Sequence, residues 1–303
     1  MELPAHLKAL YRHWPLHLAY SEISSDLPTG IDLALLSQIE SFTHERINIW
    51  KKKVSGAQPP YTTDPILDKY RFCNIFREFD RQTIAFHELL NPLRDNFPLW
   101  LLNMFYLRMT ASIETPKVTG LLSYDAAENA EFLKRLLSSP RPRFGTPYIF
   151  PVSTIMRSNT PTREEFIAYH LPAVMKSVAK EIETWNKVSV FDGVKKITPL
   201  FGYNINFLWT EVLIDVAYQY PEHINLFAQF PIGPGSLPTM KHLGNAKDPS
   251  LLVVDLSQYS LDVGITFNGE PLRLSAENWE GIGCEFRKYT NLSLGNGRKR
   301  LYK

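Results

Sequence analysis

Residues 69–82 read KYRFCNIFREFDRQ, and this stretch constrains the chain most because its apolar and polar positions recur with helical spacing. Side chains three and four positions apart share a helix face. That spacing predicts a helix with Tyr70, Phe72, Ile75, Phe76 and Phe79 on the buried side and Asn74, Arg77 and Arg81 on another. Asp80 follows Arg77 by three positions and adjoins Arg81, so it can hold one guanidinium and leave the other for a ligand. A helix of this kind presents fixed positive forks to phosphate oxygens. A salt-bridged surface helix would carry the same spacing.

The rest of the chain reads as mainly helical, so the expected fold class is all-α. Leu33 to Lys53 has Leu36, Ile39, Phe42, Ile47 and Trp50 available for burial, and Gly56-Ala57-Gln58-Pro59-Pro60 stops it. The Arg-rich helix is expected from Phe72 to about Leu90, ending before Pro92. Pro98 to Thr110 is apolar on most sides and fits a central helix. Thr162 and Glu165 have capping-box spacing at the start of a helix running to about Trp185. Asn206 to Tyr218 gives another apolar helix, closed by Pro221, and Ser275 can cap a last helix through Tyr289. Pro147 to Val152 and Leu251 to Asp255 are the expected short extended pieces. A length of 303 residues with 44% hydrophobic content can bury a large core, and the 22 prolines imply many ordered bends. No internal repeat or low-complexity linker interrupts it, so one domain over residues 1–303 is expected.

Net charge is only +2, so a nucleic-acid surface has to be a local patch and not a global field. Arg287, Lys288, Arg298, Lys299, Arg300 and Lys303 form one candidate patch, although a solubilising tail has the same composition. Two cysteines and no secretory pattern at the N-terminus argue for a reducing compartment without a disulfide framework. No apolar run reaches the roughly 18 residues needed to span a bilayer. Among the eight histidines, His13 and His17 are four apart in an aromatic segment without an acidic or cysteine neighbour in sequence. No set of three or four ligands stands at recognised spacing, so no metal is expected. No motif supports pyridoxal phosphate, and no cofactor is expected. A Gly-x-x-x-x-Gly-Lys-Ser/Thr loop is absent from the sequence.

Glu211 and Asp215 lie four apart on one helix face among Leu208, Trp209, Val212, Leu213 and Ile214. Neighbouring carboxylates raise each other's pKa, which would suit one of them to general-base work, while solvated helix charges are the plainer reading.

Further blocks stand in order along the chain: Glu45-Arg46, Ile49-Trp50, Asp64-Pro65-Ile66-Leu67, Leu200-Phe201-Gly202-Tyr203-Asn204, Gly233-Pro234-Gly235-Ser236, Gly283 to Tyr289 and Gly295 to Tyr302. With the Arg-rich stretch, they resemble the alpha-glutamyl/putrescinyl thymine pyrophosphorylases of bacteriophages, a family related to the helical domain of 5-hydroxymethyluracil DNA kinases. The resemblance spans about residues 40 to 303 and leaves residues 1–40 as an N-terminal extension. It implies a helix-hairpin-helix architecture like that of DNA glycosylases, with the turn at Gly202. Tyr203 and Asn204 depart there from the usual small residues. It also implies a phage-encoded enzyme working in the cytoplasm of the infected bacterial host.

The implied substrate is duplex DNA carrying 5-(pyrophosphoryloxymethyl)uracil, and the implied reaction replaces pyrophosphate with a small amine or amino acid such as glycine, glutamate or putrescine. A base in a duplex must be extruded for such chemistry. Arg71, Arg77, Arg81 and Lys288 are the candidates to meet the leaving pyrophosphate, with Asp80 holding a guanidinium. Asp215, Glu211 or Glu285 can take the amine's proton, with Asp215 ranked first, and Asn74 can read the pyrimidine edge. Cys284 is a candidate nucleophile at C6 of uracil, against the ordinary role of a small buried residue. Gly202, Tyr203, Asn204, Gly235, Ser236, Arg298, Lys299 and Arg300 are the candidate DNA contacts. A base-excising glycosylase on a similar frame and a noncatalytic DNA-binding module of a kinase are the alternative readings.

Overall fold

Several helices start at an oxygen-bearing side chain that takes the first free amides. The computed structural model describes residues 1–18, 26–145, 155, 157–202, 205–245, 247–259 and 261–297. Along them run α1 (Ala5–Leu10), a 3-10 turn at Trp14–His17, α2 (Leu33–Val54) and α3 (Pro65–Lys69). Asp32 caps α2 by accepting from the Leu35 amide, and Asp64 caps α3 by accepting from Ile66 and Leu67. After a 3-10 turn at Arg77–Phe79 come α4 (Arg81–Leu90), α5 (Phe97–Thr110), α6 (Glu114–Thr119) and α7 (Ala126–Ser138). Thr162 caps α8 (Arg163–Glu165), which passes through a π turn at Phe166–His170 into α9 (Leu171–Glu183). The strand β1 (Val188–Ser189) precedes α10 (Val190–Phe201) and α11 (Asn206–Gln219), and β2 (Ile224–Asn225) pairs with β1 in parallel. Last come α12 (Leu237–Leu243), α13 (Pro249–Ser257), the antiparallel pair β3 (Thr266–Phe267) and β4 (Glu270–Pro271), and α14 (Ala276–Ser293). The all-α class is as expected, since each described strand is two residues long.

The chain divides into two compact units, Met1–Asp80 with Leu226–Lys303, and Arg81–Asn225. In the second unit α5 is buried from Trp100 to Thr110 and packs against α4, α9 and α11. A helix apolar on all sides can only be a core helix, and each large side chain so buried contributes about 1.5–3 kcal/mol. Its one amide, Asn103, accepts from the Leu122 amide at 2.7 Å and donates to the Leu99 and Leu122 carbonyls.

In the first unit α14 packs against α2, α3, α12 and α13. Residues 1–18 are built into this unit. The Leu3 amide donates to the Thr266 carbonyl at 2.8 Å, and the wholly buried Trp14 donates from its indole to Leu7.

Two expectations are corrected. Leu251 to Asp255 lies within α13 and is not extended. The apolar run continues the helix that Asp248 caps. The helix expected over residues 69–82 does not form: α3 ends at Lys69, and α4 starts only at Arg81. Pro147 to Val152 lies outside the described residues.

Candidate functional site

Where the Arg-rich helix was expected, the backbone hydrogen bonds go to side chains from distant parts of the first unit. Every buried amide and carbonyl needs a partner, and here the partners are long-range. Lys288 donates to the Arg71 carbonyl. Arg46 donates to the Phe72 and Cys73 carbonyls at 3.3 and 3.1 Å. The Cys73 amide donates to Glu285 Oε2 at 2.9 Å, and Asn278 donates to the Ile75 carbonyl at 3.4 Å. Tyr11 donates to the Glu78 carbonyl at 2.9 Å. Asn74 closes the loop on itself, donating its amide to Asp80 Oδ1 and its side-chain nitrogen to both Asp80 Oδ1 and the Phe79 carbonyl. Asn and Asp side chains compete for the backbone in this way wherever they can, which is why they oppose helix interiors. The apolar half of the expectation survives: Tyr70, Phe72, Ile75, Phe76 and Phe79 are all buried, and Phe79 stacks on Trp50 with centroids 4.0 Å apart.

The loop therefore gathers several separate sequence blocks. Arg46 comes from α2, Glu285 and Lys288 from α14, and Tyr289 donates to Asp64 at 2.7 Å, tying α14 to the cap of α3. Lys288 lies 4.4 Å from the Phe72 ring centroid, with the Arg46 guanidinium 5.5 Å from the same ring. Arg46 was quoted in the motif but not assigned a role. The signal for it was a lone charge on the buried stripe of α2, four residues from both Phe42 and Trp50.

This arrangement acts on the titration of its acids and thiols. Desolvation raises the half-buried Asp80 carboxyl to about 6; the Asn74 amide and the Arg77 and Arg46 charges oppose that rise, and Glu285 adds to it. Cys73 keeps exposed surface, yet the packing around it and the charges of Glu285 and Asp80 push its thiol well above the usual range. Burial pushes the Cys284 thiol up to about 12, helped by Glu280 and Glu285. A nucleophilic cysteine needs its thiolate, so the expected covalent role of Cys284 has no support at neutral pH.

Other expected site residues go elsewhere. Asn74 has both amide hydrogens committed to Asp80 and Phe79, so it has no donor left for a pyrimidine edge. Ser236 is fully buried, and its neighbourhood explains the Gly-Pro-Gly loop. Gly233 donates its amide to Glu280, Arg287 donates to the Pro234 carbonyl at 2.7 Å, and a Cβ on Gly235 would lie 2.5 Å from Cys284 Sγ. The loop is thus a close packing surface for α14 at Gly235, and Ser236 is buried beside it.

In the second unit, Asp215 is wholly buried, with Arg108 Nε on Oδ2 and Arg108 Nη2 on Oδ1, both at 2.6 Å. His87 Nε2 is 3.1 Å from the same Oδ1, Gln219 Nε2 is 2.9 Å from His87 Nδ1, and Thr83 accepts from Arg108 at 3.2 Å. This network joins α4, α5 and α11, and it encloses Asp215 within the second unit. Glu211 is half-buried, so the two carboxyls do not share one environment. Arg81 is exposed at the first position of α4. Gly202 ends α10 with φ at 75°, in the left-handed region that glycine adopts without strain. α11 then begins at Asn206 and packs against α10. Tyr203, Asn204, Arg298, Lys299 and Arg300 lie outside the described residues.

The sequence shows no acidic neighbour for His13 and His17, but the fold supplies one. Glu78, fully buried, lies 2.6 Å from His13 Nε2 through its Oε1. His17 is 3.0 Å from the Arg273 carbonyl through Nδ1, and burial, with His13 close by, depresses its pKa to about 3.

A family model described as 5-hmdU DNA kinase, helical domain, matches residues 34–298. A 5-hmdU DNA kinase of Bacillus phage SP10 is 35% identical over 83 residues, which are 26% of this chain. The match spans 13% of that protein's length. No solved structure matches the chain. No described helix is long and apolar enough to cross a membrane.

Proposed function

The chain belongs to the family of the 5-hmdU DNA kinase helical domain, and from that membership we propose that it is a transferase in phage thymine modification. On this reading it acts on duplex DNA carrying 5-(pyrophosphoryloxymethyl)uracil. The amine nitrogen forms a bond to the exocyclic carbon, the carbon–oxygen bond breaks, pyrophosphate leaves with the electron pair, and the nitrogen loses a proton to a carboxylate.

The observation that carries the reading is the loop that Asp80 closes on Asn74, held by Arg46, Glu285 and Lys288, an arrangement that pushes the Asp80 carboxyl up to about 6. An amine arrives protonated, and a carboxyl with this value is ionised at neutral pH yet more basic than an ordinary aspartate. Asp80 is therefore preferred to Asp215 as the base, because Asp215 is enclosed by Arg108 and His87. Pyrophosphate leaves with high negative charge, and Arg71, Arg77 and Lys288 belong to the same loop and the helix beneath it. Glu285 acts by holding the Cys73 amide and Lys288. The turn at Gly202 is assigned to a DNA phosphate in the manner of a glycosylase-like helix-hairpin-helix, and the base has to be extruded from the duplex for the reaction.

Mass spectrometry of nucleosides tests the proposal. DNA bearing the activated base, incubated with the protein and a pool of amines, should yield a thymine heavier by the amine and an equal amount of pyrophosphate. A second reading follows from the family's being that of a kinase's helical domain: a noncatalytic module that binds modified DNA. Salt-dependent binding of the activated DNA with no new nucleoside and no pyrophosphate release would select that module and dismiss the transferase.

A further inference from the structure

We propose that His13, His17 and Glu78 form a binding site for one divalent metal ion of the zinc class. One ligand atom from each of the three lies within 4.8 Å of the other two, and all three side chains are buried. The donor set of two imidazoles and a carboxylate is one of those zinc takes when three protein ligands leave a fourth position open.

Geometry already prepares His17 for this. Its Nδ1 lies 3.0 Å from the Arg273 carbonyl, an acceptor only, so Nδ1 carries the hydrogen and the Nε2 lone pair is bare. That Nε2 is buried and has no hydrogen-bond partner. A metal-ligating histidine commonly donates its second nitrogen to a backbone carbonyl in this manner, which fixes the tautomer and the ring plane. His13 and Glu78 lie 2.6 Å apart, and ligand atoms about 2.1 Å from a tetrahedral zinc would stand roughly 3.3 Å apart. Loading therefore asks that contact to open by less than one ångström, with the hydrogen between them leaving to solvent. The walls are aromatic: Trp14 lies 4.5 Å from the His13 ring and Phe227 5.0 Å from the His17 ring, centroid to centroid. Arg273, stacked on Phe227 at 4.0 Å, is the neighbouring positive charge against which the ion has to bind.

Glu78 stands two residues before Asp80, and His13 and His17 belong to the N-terminal turn. A bound ion would thus clamp the start of the chain to the 3-10 turn at Arg77–Phe79. His13 and His17 lie before the residues matched by the family model, and Glu78 lies within them.

Untagged, chelator-stripped full-length protein should take up one equivalent of Zn²⁺ on dialysis and melt at a higher temperature for it. Co²⁺ in its place should give visible absorption of a low-coordinate site. Glu78→Gln keeps a hydrogen-bonding partner for His13, and His17→Phe keeps an aromatic ring in the pocket; each should lower metal affinity at least 100-fold. Absence of stoichiometric metal in the parent protein would overturn the proposal whatever the variants do. Undiminished uptake in either folded variant would do so as well.

Discussion

Asp80 takes both amides of Asn74, main chain and side chain, on the single oxygen Oδ1, at 3.0 and 2.9 Å. One carboxylate thereby closes a loop whose other backbone groups are held by Arg46, Glu285, Lys288, Asn278 and Tyr11. The loop's shape and the protonation of Asp80 are set by the same contacts.

If Asp80 removes the amine's proton, transfer should fall as pH drops through about 6, the value to which desolvation raises it. Glu285→Gln keeps an oxygen for the Cys73 amide but removes a like charge, so the acid limb should move to lower pH. Stability has the opposite sense. A raised carboxyl contributes stability fully below its ordinary value of 3.8, and that contribution is lost as pH rises through about 6. Asp80→Asn should accordingly be inactive yet no less stable than the parent at pH 8, measured by urea denaturation. A variant that is stable and fully active removes Asp80 as the base.

Arg46→Met leaves the Phe72 and Cys73 carbonyls without their donor, at a cost of about 1–3 kcal/mol. Hydrogen exchange at the Cys73 amide should quicken as the loop loosens. The acid limb should rise, because the Arg46 charge holds the Asp80 value down. Both bonds come from the single nitrogen Nη2, so Arg46→Lys, whose ammonium also carries several hydrogens on one nitrogen, should recover part of the loss.

The Arg108–Asp215 pair separates a stability role from a catalytic one. Asp215→Ala leaves a buried guanidinium uncompensated and should cost about 3–5 kcal/mol, whereas Arg108→Met with Asp215→Leu should cost less than the single change. Activity of Asp215→Asn, assayed where it is fully folded, should stay near that of the parent. A folded variant with no turnover would return Asp215 to the chemistry.

Local signals were legible where they were sufficient. Thr162 and Ser275 were readable as caps, and each caps a helix. Burial of Phe72, Phe76 and Phe79 was legible too, because apolar character alone drives it. The path of residues 70–80 was not. Its hydrogen-bond partners Arg46, Asn278, Glu285 and Lys288 are far away in sequence, and spacing carries no record of them. Glu78 is the sharpest case. Sixty-five residues separate it from His13, so the His13–His17–Glu78 cluster exists only in the folded chain. Gly235 read from the sequence as a candidate DNA contact, and the fold sets it against Cys284, a close approach the sequence does not show.

That approach gives a test with an internal control. A Cβ on Gly235 would lie 2.5 Å from Cys284 Sγ and 3.6 Å from its Cβ, so the clash is with the sulfur. Gly235→Ala should destabilise by about 1–3 kcal/mol, the usual cost of overpacking. Cys284→Ala removes the sulfur and leaves a small void in its place. The double variant should then be more stable than Gly235→Ala alone, with a coupling of about 0.5–3 kcal/mol in a double-mutant cycle. Because burial holds the Cys284 thiol at about 12, Cys284→Ala by itself should keep transfer activity. Loss of activity in a fully folded Cys284→Ala, together with simple additivity in the cycle, would mean that the thiol acts on substrate and not on Gly235.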